Sequence, residues 1–163
     1  MFKVGDKILY GAEGVCEIID ITEKNFNEVS ALFYVLKPKF SNSSTFFVPT
    51  ESEKLTSKMK PVLSLEEIQK FVKTSCALRP WQDDDALRKE DFKSIISGGN
   101  TEKIVSMLKA IILHKNEIER MGKKLHRADE SAFKDAQKII YEEFRLYTEL
   151  TKDDIIKIIS DEI

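Results

Sequence analysis

The chain has 163 residues, of which 42% are hydrophobic and 33% are charged, and its formal net charge is −2. This length fits one domain or two small ones, and the near-neutral charge excludes a general electrostatic grip on nucleic acid, so any such contact must be local. Cys16 and Cys76 lie in different segments without metal-ligand spacing, which predicts two ordinary cytosolic thiols. No apolar run approaches the roughly 18–20 residues of a membrane span. We therefore expect a soluble, cytoplasmic protein that does not enter a membrane.

The first sixty residues predict β-strands. Short segments rich in Ile, Val, Phe and Tyr alternate with turn-forming residues; they are 7–10, 14–21, 32–37, 45–49 and 59–63. Strands of this length joined by tight turns are typical of a small, strongly bent barrel of the SH3 or Tudor kind. About sixty residues is close to the lower limit for an independent core, so we expect support from the second half.

From Ser64 onward the hydrophobic period becomes helical. Ser64 and Glu67 have the spacing of a capping box, which satisfies free amides at a helix start, and the helix that they open is expected to end near Thr74. The aspartates at 83–85 predict the N-cap of a second helix. This helix is expected to stop at the glycines at 98–99.

Three further helices are predicted. The first is capped by Asn100 or Thr101, the second is opened by Asp129, and the third is capped by Thr151 with Asp154. Apolar residues at helical spacing predict the inner faces of the last four helices, namely Phe92, Ile95, Ile96, Ile104, Leu108, Ile111, Ile112, Phe133, Ala136, Ile140, Phe144, Tyr147, Ile155, Ile158 and Ile159. The predicted fold class is therefore α+β, with a small Tudor/SH3-like β-barrel at 1–60 and a compact all-helical domain at 61–163.

The sequence offers no catalytic constellation. His114 and His126 have no cysteine or carboxylate partner at ligand spacing, so we interpret both as solvated. The aspartates at 83–85 are consecutive and cannot all face one cation, and helix capping accounts for them. The glycines at 98–99 lack the preceding strand and further glycines of a phosphate loop. We expect a protein that is not an enzyme and has no metal, cofactor or small-molecule substrate.

The only tryptophan lies among cations. Arg79 precedes Trp81, and Arg88, Lys89 and Lys93 follow it on the second helix, where we place all three on the outward face. An aromatic ring beside several cations is the arrangement that grips distorted or partly unstacked nucleic acid. A tryptophan that only fills the junction between the two domains accounts for the same residues, and both interpretations stay open at this point.

A second basic cluster straddles the predicted connection between two later helices. In the segment RMGKKLHR, the cations are Arg120, Lys123, Lys124 and Arg127. Charge runs of this kind are commonly solvated faces, so the cluster is a candidate for phosphate contact but not evidence for it.

Three stretches of the sequence, in this order, resemble one family. They are FKVGDKILYGAEGVCEI with FYVLK and FFVP, then RPWQDDDALRKEDFKSIISGG, then GKKLHRADESAFKDAQKIIYEEF. Together they are similar to the CarD/CdnL family of bacterial transcription regulators, also called the CarD-like/TRCF RNA-polymerase-interacting domain. The pattern F-x-V-G-D-x-I-x-Y is moderately specific, and its order with the tryptophan segment and the G-K-K-L helix is strongly so.

The resemblance implies a Tudor-like domain that docks on the first lobe of the RNA polymerase β subunit through a sheet edge. An exposed strand is a template for pairing with a partner's strand. Some relatives carry an arginine directly before the Val-Pro pair, where this chain has Phe47, so we expect an apolar contact there in place of an ion pair. The residues expected to bind polymerase are Thr45, Phe46, Phe47, Val48 and Pro49.

The resemblance also implies that the helical domain contacts promoter DNA at the upstream edge of the transcription bubble. Trp81 would act there as a wedge in the splayed minor groove and stabilise the open promoter complex. The phosphate contacts, which carry no sequence information, are expected from Arg79, Arg88, Lys89, Lys93, Lys123 and Lys124. The expected function is transcription regulation on the nucleoid, with recruitment through polymerase. The alternative is a protein-interaction module whose barrel binds a partner peptide and whose Trp81 only seals the domain junction.

Overall fold

The structure, a computed structural model, describes residues 1–26, 29–42, 44–77 and 80–163. Over these ranges an antiparallel sheet is followed by helices, which confirms the predicted α+β class. The strands are β1 (Lys7–Tyr10), β2 (Val15–Phe26), β3 (Val29–Pro38), β4 (Phe46–Pro49) and β5 (Met59–Pro61). The helices are α1 (Glu53–Thr56), α2 (Leu65–Thr74), α3 (Asp85–Gly98), α4 (Thr101–Arg120), α5 (Arg127–Arg145) and α6 (Lys152–Asp161), with one 3-10 turn at Gly11–Glu13.

The strand order is β4-β3-β2-β1-β5, so β4 and β5 form the two edges of the sheet. The fifth predicted segment joins the sheet by pairing with β1, where Met59 lies opposite Tyr10. The strands β2 and β3 are longer than predicted, and their ladder continues to Phe26 opposite Val29. Residues 22–25 of β2 are all polar, so apolar patterning does not reveal this extension.

Two hydrophobic cores meet at the sheet. The residues of one core come from the sheet itself and include Ile8, Cys16 and Leu36. The other core contains Leu9 and Val15 together with the inner faces of the helices. Neighbouring residues of a strand point to opposite faces, so this part of the sheet is covered on both sides. The division into domains at 60 and 61 stays a prediction.

The helix starts follow the local signals in the sequence. Ser64 forms the predicted capping box with Glu67, and Asp84 caps α3 by accepting hydrogen bonds from the amides of Ala86 and Leu87, at 2.9 and 3.0 Å. Asn100 is the N-cap of α4. The predicted pair of Thr151 and Asp154 forms the capping box of α6.

Two predictions for α5 are wrong. This helix begins at Arg127 after the N-cap His126, and Asp129 is a buried ion-pair partner of Arg88 instead of the residue that opens the helix. Tyr147 lies beyond the last helical residue, Arg145, and is exposed. The helical period places Tyr147 on the inner face only while the helix continues, so its early end turns this residue outward.

The helical half is joined to the sheet at two close approaches. The amide of Val15 donates a hydrogen bond of 2.9 Å to Oε2 of Glu142 on α5. Gly14 has φ 84° and ψ −147°, and a Cβ at this position would lie 2.9 Å from the Glu142 carboxyl carbon. At Gly11, a Cβ would lie 2.8 Å from the carbonyl oxygen of Ser97 on α3. Only glycine fits at these two positions.

Candidate functional site

Trp81 lies just before α3 and is half-buried against the helical core. The imidazole ring of His114, from α4, stacks on the indole with ring centroids 3.7 Å apart and an interplanar angle of 5°. Phe92, from α3, contacts the indole edge-on at 6.1 Å and 66°. These ring partners belong to the helical half of the chain and not to the sheet.

The interpretation of His114 as a solvated histidine is wrong. Its ring is half-buried under Trp81, and this burial, together with the nearby charge of Arg88, lowers the pKa of His114 below its usual value. Ala110 precedes His114 by one helical turn and, like His114, lines a groove beside the indole. The small side chain of Ala110 leaves room for the indole ring. His126 is exposed, and its Nδ1 lies 3.3 Å from Oδ2 of Asp85.

The placement of Arg88 on the outward face of α3 is also wrong, because this side chain is only 4% exposed. Its Nε and Nη2 donate to the two carboxylate oxygens of Asp129, at 2.9 and 2.8 Å. Nη1 donates to the carbonyl of Gln82 at 2.6 Å, and Nη2 donates to Asp85 at 2.6 Å. Arg88 precedes Phe92 by four residues, and residues at this spacing share a helix face. The arginine therefore points inward with the core phenylalanine.

The guanidinium of Arg88 also contacts the tryptophan. Its central carbon lies 4.7 Å from the centroid of the Trp81 ring, which is a cation–π distance. The Asp129 carboxylate raises the pKa of Arg88 above its usual value. A permanent charge is therefore held beside the indole.

The other predicted cations of α3 are exposed. Lys89 and Lys93 line a groove of about 440 Å³ between α3 and α5, with Arg127 on the opposite side and Phe92 and Ile96 among its apolar residues. We call this the basic groove. Phe92 lines the basic groove and also contacts Trp81 edge-on.

The remaining predicted DNA-binding residues lie elsewhere. Lys123 and Lys124 are exposed on the connection between α4 and α5. Arg79 lies outside the described residues. A groove of about 370 Å³ runs beside the indole, lined by Ala77, Pro80, Trp81, Ala110, Leu113, His114 and Glu117. One side of the tryptophan thus borders open space.

The predicted polymerase-binding segment lies at a sheet edge. Within the described part of the chain, β4 pairs with β3 alone. Val48 is buried, whereas Phe47 is 44% exposed, as the alternation of a strand requires. Thr45 is exposed just before the strand, and its end residues Phe46 and Pro49 are half-buried.

A lysine from another strand reaches this edge. Nζ of Lys24, on β2, lies 3.4 Å from the centroid of the Phe47 ring. Lys24 and Phe47 stand on the same face of the sheet, because their partners on β3 are Ala31 and Val35, four residues apart. Lys24 is not among the predicted site residues, since it lies beyond the predicted end of its strand. The edge therefore combines an exposed aromatic ring with a positive charge.

Two other kinds of site are absent from the described residues. In the part of the chain that the structure describes, no group of three His, Cys, Asp or Glu side chains is placed to hold a metal ion. No helix among the described residues has the length and apolar character to cross a bilayer.

The residues that form the sheet match a known domain family. Residues 2–63 match the family model described as the CarD-like/TRCF RID domain. The chain is also 33% identical over 99 residues to "Putative transcription factor YdeB" of Bacillus subtilis (strain 168), and the alignment covers 58% of this chain and 63% of that protein. The match confirms, over residues 2–63, the resemblance seen in the sequence. The aligned segment is longer than this domain, so the similarity extends beyond the sheet.

Proposed function

We propose that this protein is a transcription regulator and not an enzyme, and that it binds RNA polymerase through the β4 edge and promoter DNA through the helical half. The observation that carries the proposal is the CarD-like/TRCF RID match over the sheet that has β4 at its edge. The name of the Bacillus subtilis relative supports the same class. This function places the protein in the cytoplasm, on the nucleoid through polymerase.

The polymerase contact is a strand added to the edge of the sheet. Backbone groups of an unpaired edge supply affinity in such contacts, and outward side chains supply specificity. The proposed partner is the first lobe of the β subunit, and Phe47 is the central side chain. Because Lys24 covers this ring, the contact presents a positive charge as well as an apolar surface.

The DNA contact is a wedge at the upstream edge of the bubble. A bubble edge is already unstacked, so an apolar ring fills the gap without the few kcal/mol otherwise needed to open a base step. His114 and Arg88 both contact the Trp81 ring and hold it at a fixed angle. The groove of about 370 Å³ that Trp81 and His114 line leaves access to the half-buried indole. A base–aromatic contact of about 1–3 kcal/mol favours the open complex by roughly five- to a hundredfold.

Phosphate contacts are assigned to exposed cations. These are Lys89 and Lys93 on the basic groove, and Lys123 and Lys124 on the connection between α4 and α5. Arg79 keeps its predicted role. Arg88 is left out of this set because its donors are used inside the protein. With so few cations, binding to free DNA is expected to be weak and to depend on recruitment by polymerase.

Two variants of the full chain test the two contacts separately. Trp81→Ala is expected to leave polymerase affinity unchanged and to shorten the open-complex lifetime by five- to a hundredfold. Phe47→Ala is expected to weaken polymerase affinity, and to affect the open-complex lifetime only through the reduced occupancy of polymerase. Leu87→Ala is a matched control for both, because Leu87 is an exposed apolar side chain on α3. An unchanged lifetime with Trp81→Ala refutes the wedge, and unchanged polymerase affinity with Phe47→Ala refutes the edge contact.

The alternative is a protein-interaction module in which Trp81 serves packing only. The half-burial of Trp81 and its stacking on His114 favour a packing role, although its described ring partners lie within the helical half and not at the junction with the sheet. On this alternative, Trp81→Ala lowers the free energy of unfolding and leaves open-complex lifetime unaltered at equal occupancy of polymerase.

A further inference from the structure

Arg88 ties the segment that carries Trp81 to two helices. Its guanidinium contacts the carbonyl of Gln82 directly after the tryptophan, the carboxylate of Asp85 at the start of α3, and the carboxylate of Asp129 on α5. The same group lies over the indole ring. One buried side chain therefore joins the Trp81 segment, α3 and α5.

The hydrogen bonds of Arg88 leave little capacity for a ligand. A guanidinium has five N–H groups in a rigid fork, and four of them are used by the bonds to Asp129, Gln82 and Asp85. The pair with Asp129 is bidentate, which fixes orientation as well as distance. Both partners of this pair are almost fully buried. A phosphate cannot replace these contacts without opening the helical core.

We propose that Arg88 is a positioning residue for Trp81, which acts by fixing the indole at the entrance to α3 and makes no contact with DNA itself. The proposal rests on the proposed function of Trp81 as the DNA wedge. A wedge must be held at a defined angle before it meets its target, and side chains locked by packing and hydrogen bonds supply this order. Arg88 holds the ring from α3, and His114 holds it from α4.

The choice of variant separates positioning from phosphate contact. Arg88→Lys keeps the positive charge and would preserve a phosphate contact, but a lysine cannot reproduce the bidentate fork. Lys70→Arg is the matched control, because it exchanges the same two residue types at an exposed position of α2 that has no assigned contact with DNA or polymerase. We expect Arg88→Lys to shorten the open-complex lifetime by at least fivefold and Lys70→Arg to leave it unchanged. A wild-type lifetime with Arg88→Lys overturns the proposal.

Energetic coupling between Arg88 and Trp81 would distinguish a positioning role from a general contribution of Arg88 to stability. When Trp81 is already alanine, Arg88→Lys is expected to have no further effect on lifetime, since the residue acts only through the indole. Equal effects of Arg88→Lys in the presence and absence of Trp81 overturn the proposal. If Trp81→Ala alone leaves the lifetime unchanged, the proposed function fails, and the positioning role is then judged by fluorescence.

Fluorescence tests the position of the ring without polymerase or DNA. Trp81 is the only tryptophan, so its emission and its quenching by acrylamide report on this one ring in the full chain. We expect Arg88→Lys to shift the emission to the red and to increase quenching at least twofold, whereas Lys70→Arg is expected to leave both unchanged. Asp129→Asn, which weakens the same fork from α5, is the second variant if Arg88→Lys does not fold. Wild-type quenching in whichever of these variants folds overturns the proposal.

Discussion

Gly14→Ala is expected to loosen the connection between the sheet and the helical half. The backbone at Gly14 lies at φ 84° and ψ −147°, a region that residues with a Cβ almost never occupy. The added methyl would also meet the Glu142 carboxylate, which accepts the hydrogen bond from the buried amide of Val15. The carboxylate must therefore move, and the amide then loses its partner.

Two terms give the size of the effect. Holding a residue with a Cβ in this backbone conformation costs about 1–3 kcal/mol. Losing a hydrogen bond to a charged group, with the buried amide of Val15 left unsatisfied, costs about 1.5–3 kcal/mol. We expect Gly14→Ala to lower the free energy of unfolding by about 2.5–6 kcal/mol.

Chemical denaturation of the full chain measures this loss, and Gly5→Ala is the control. Gly5 also has a positive φ, 91°, but a Cβ there would meet no atom within 4 Å, so this variant reports conformational strain alone. When Glu142 is already alanine, Gly14→Ala should cost only the strain. A loss with Gly14→Ala no larger than that with Gly5→Ala would show that the contact with Glu142 does not hold the two halves together.

Three further outcomes are expected. Burial raises the pKa of Glu143 to about 7, against the opposing hydrogen bond from Thr101. The protonated carboxyl group of Glu143 therefore favours the folded state below the usual carboxyl pKa, and this stabilisation is lost as the pH rises through about 7. Glu143→Gln should flatten this decrease in the free energy of unfolding, as measured by denaturation at several pH values. Protonation of His114 should quench Trp81 by electron transfer, with a midpoint below the usual histidine pKa; a midpoint at or above the usual histidine pKa would contradict the burial of His114 under the indole. Ser64→Ala removes a capping box and should lower the free energy of unfolding by about 1 kcal/mol, and no change in denaturation midpoint would argue against it.

The shared core has a consequence for the two proposed contacts. Leu9 and Val15 of the sheet are buried among the helices, and Glu142 bonds to the backbone of β2. The β4 edge and Trp81 are therefore carried on elements packed together and not on a flexible tether. Two weak contacts held at a fixed separation reinforce each other only when both targets match that separation. Gly14→Ala should thus reduce open-complex lifetime more than it reduces polymerase affinity.

The elements and their boundaries were largely predictable from the sequence. Caps at Ser64, Asp84, Asn100 and Thr151 depend on hydrogen bonds that span two or three residues, so the information is local. Apolar periodicity likewise separated the sheet from the helices. The family resemblance came from the order of three stretches and was confirmed over residues 2–63, whereas the assigned roles of the site residues stay predictions.

Only the tertiary structure decided what surrounds the site. Arg88 meets Asp129 across 41 residues of sequence, and Lys24 reaches Phe47 across two strand pairings. No spacing rule encodes such contacts, because they depend on how α5 packs on α3 and on the register of the sheet. Because α5 packs on α3, Arg88 is buried beside Trp81 and does not lie on the predicted DNA-binding surface. Charge and sequence position are local properties, whereas burial is decided by the partner that folding brings alongside.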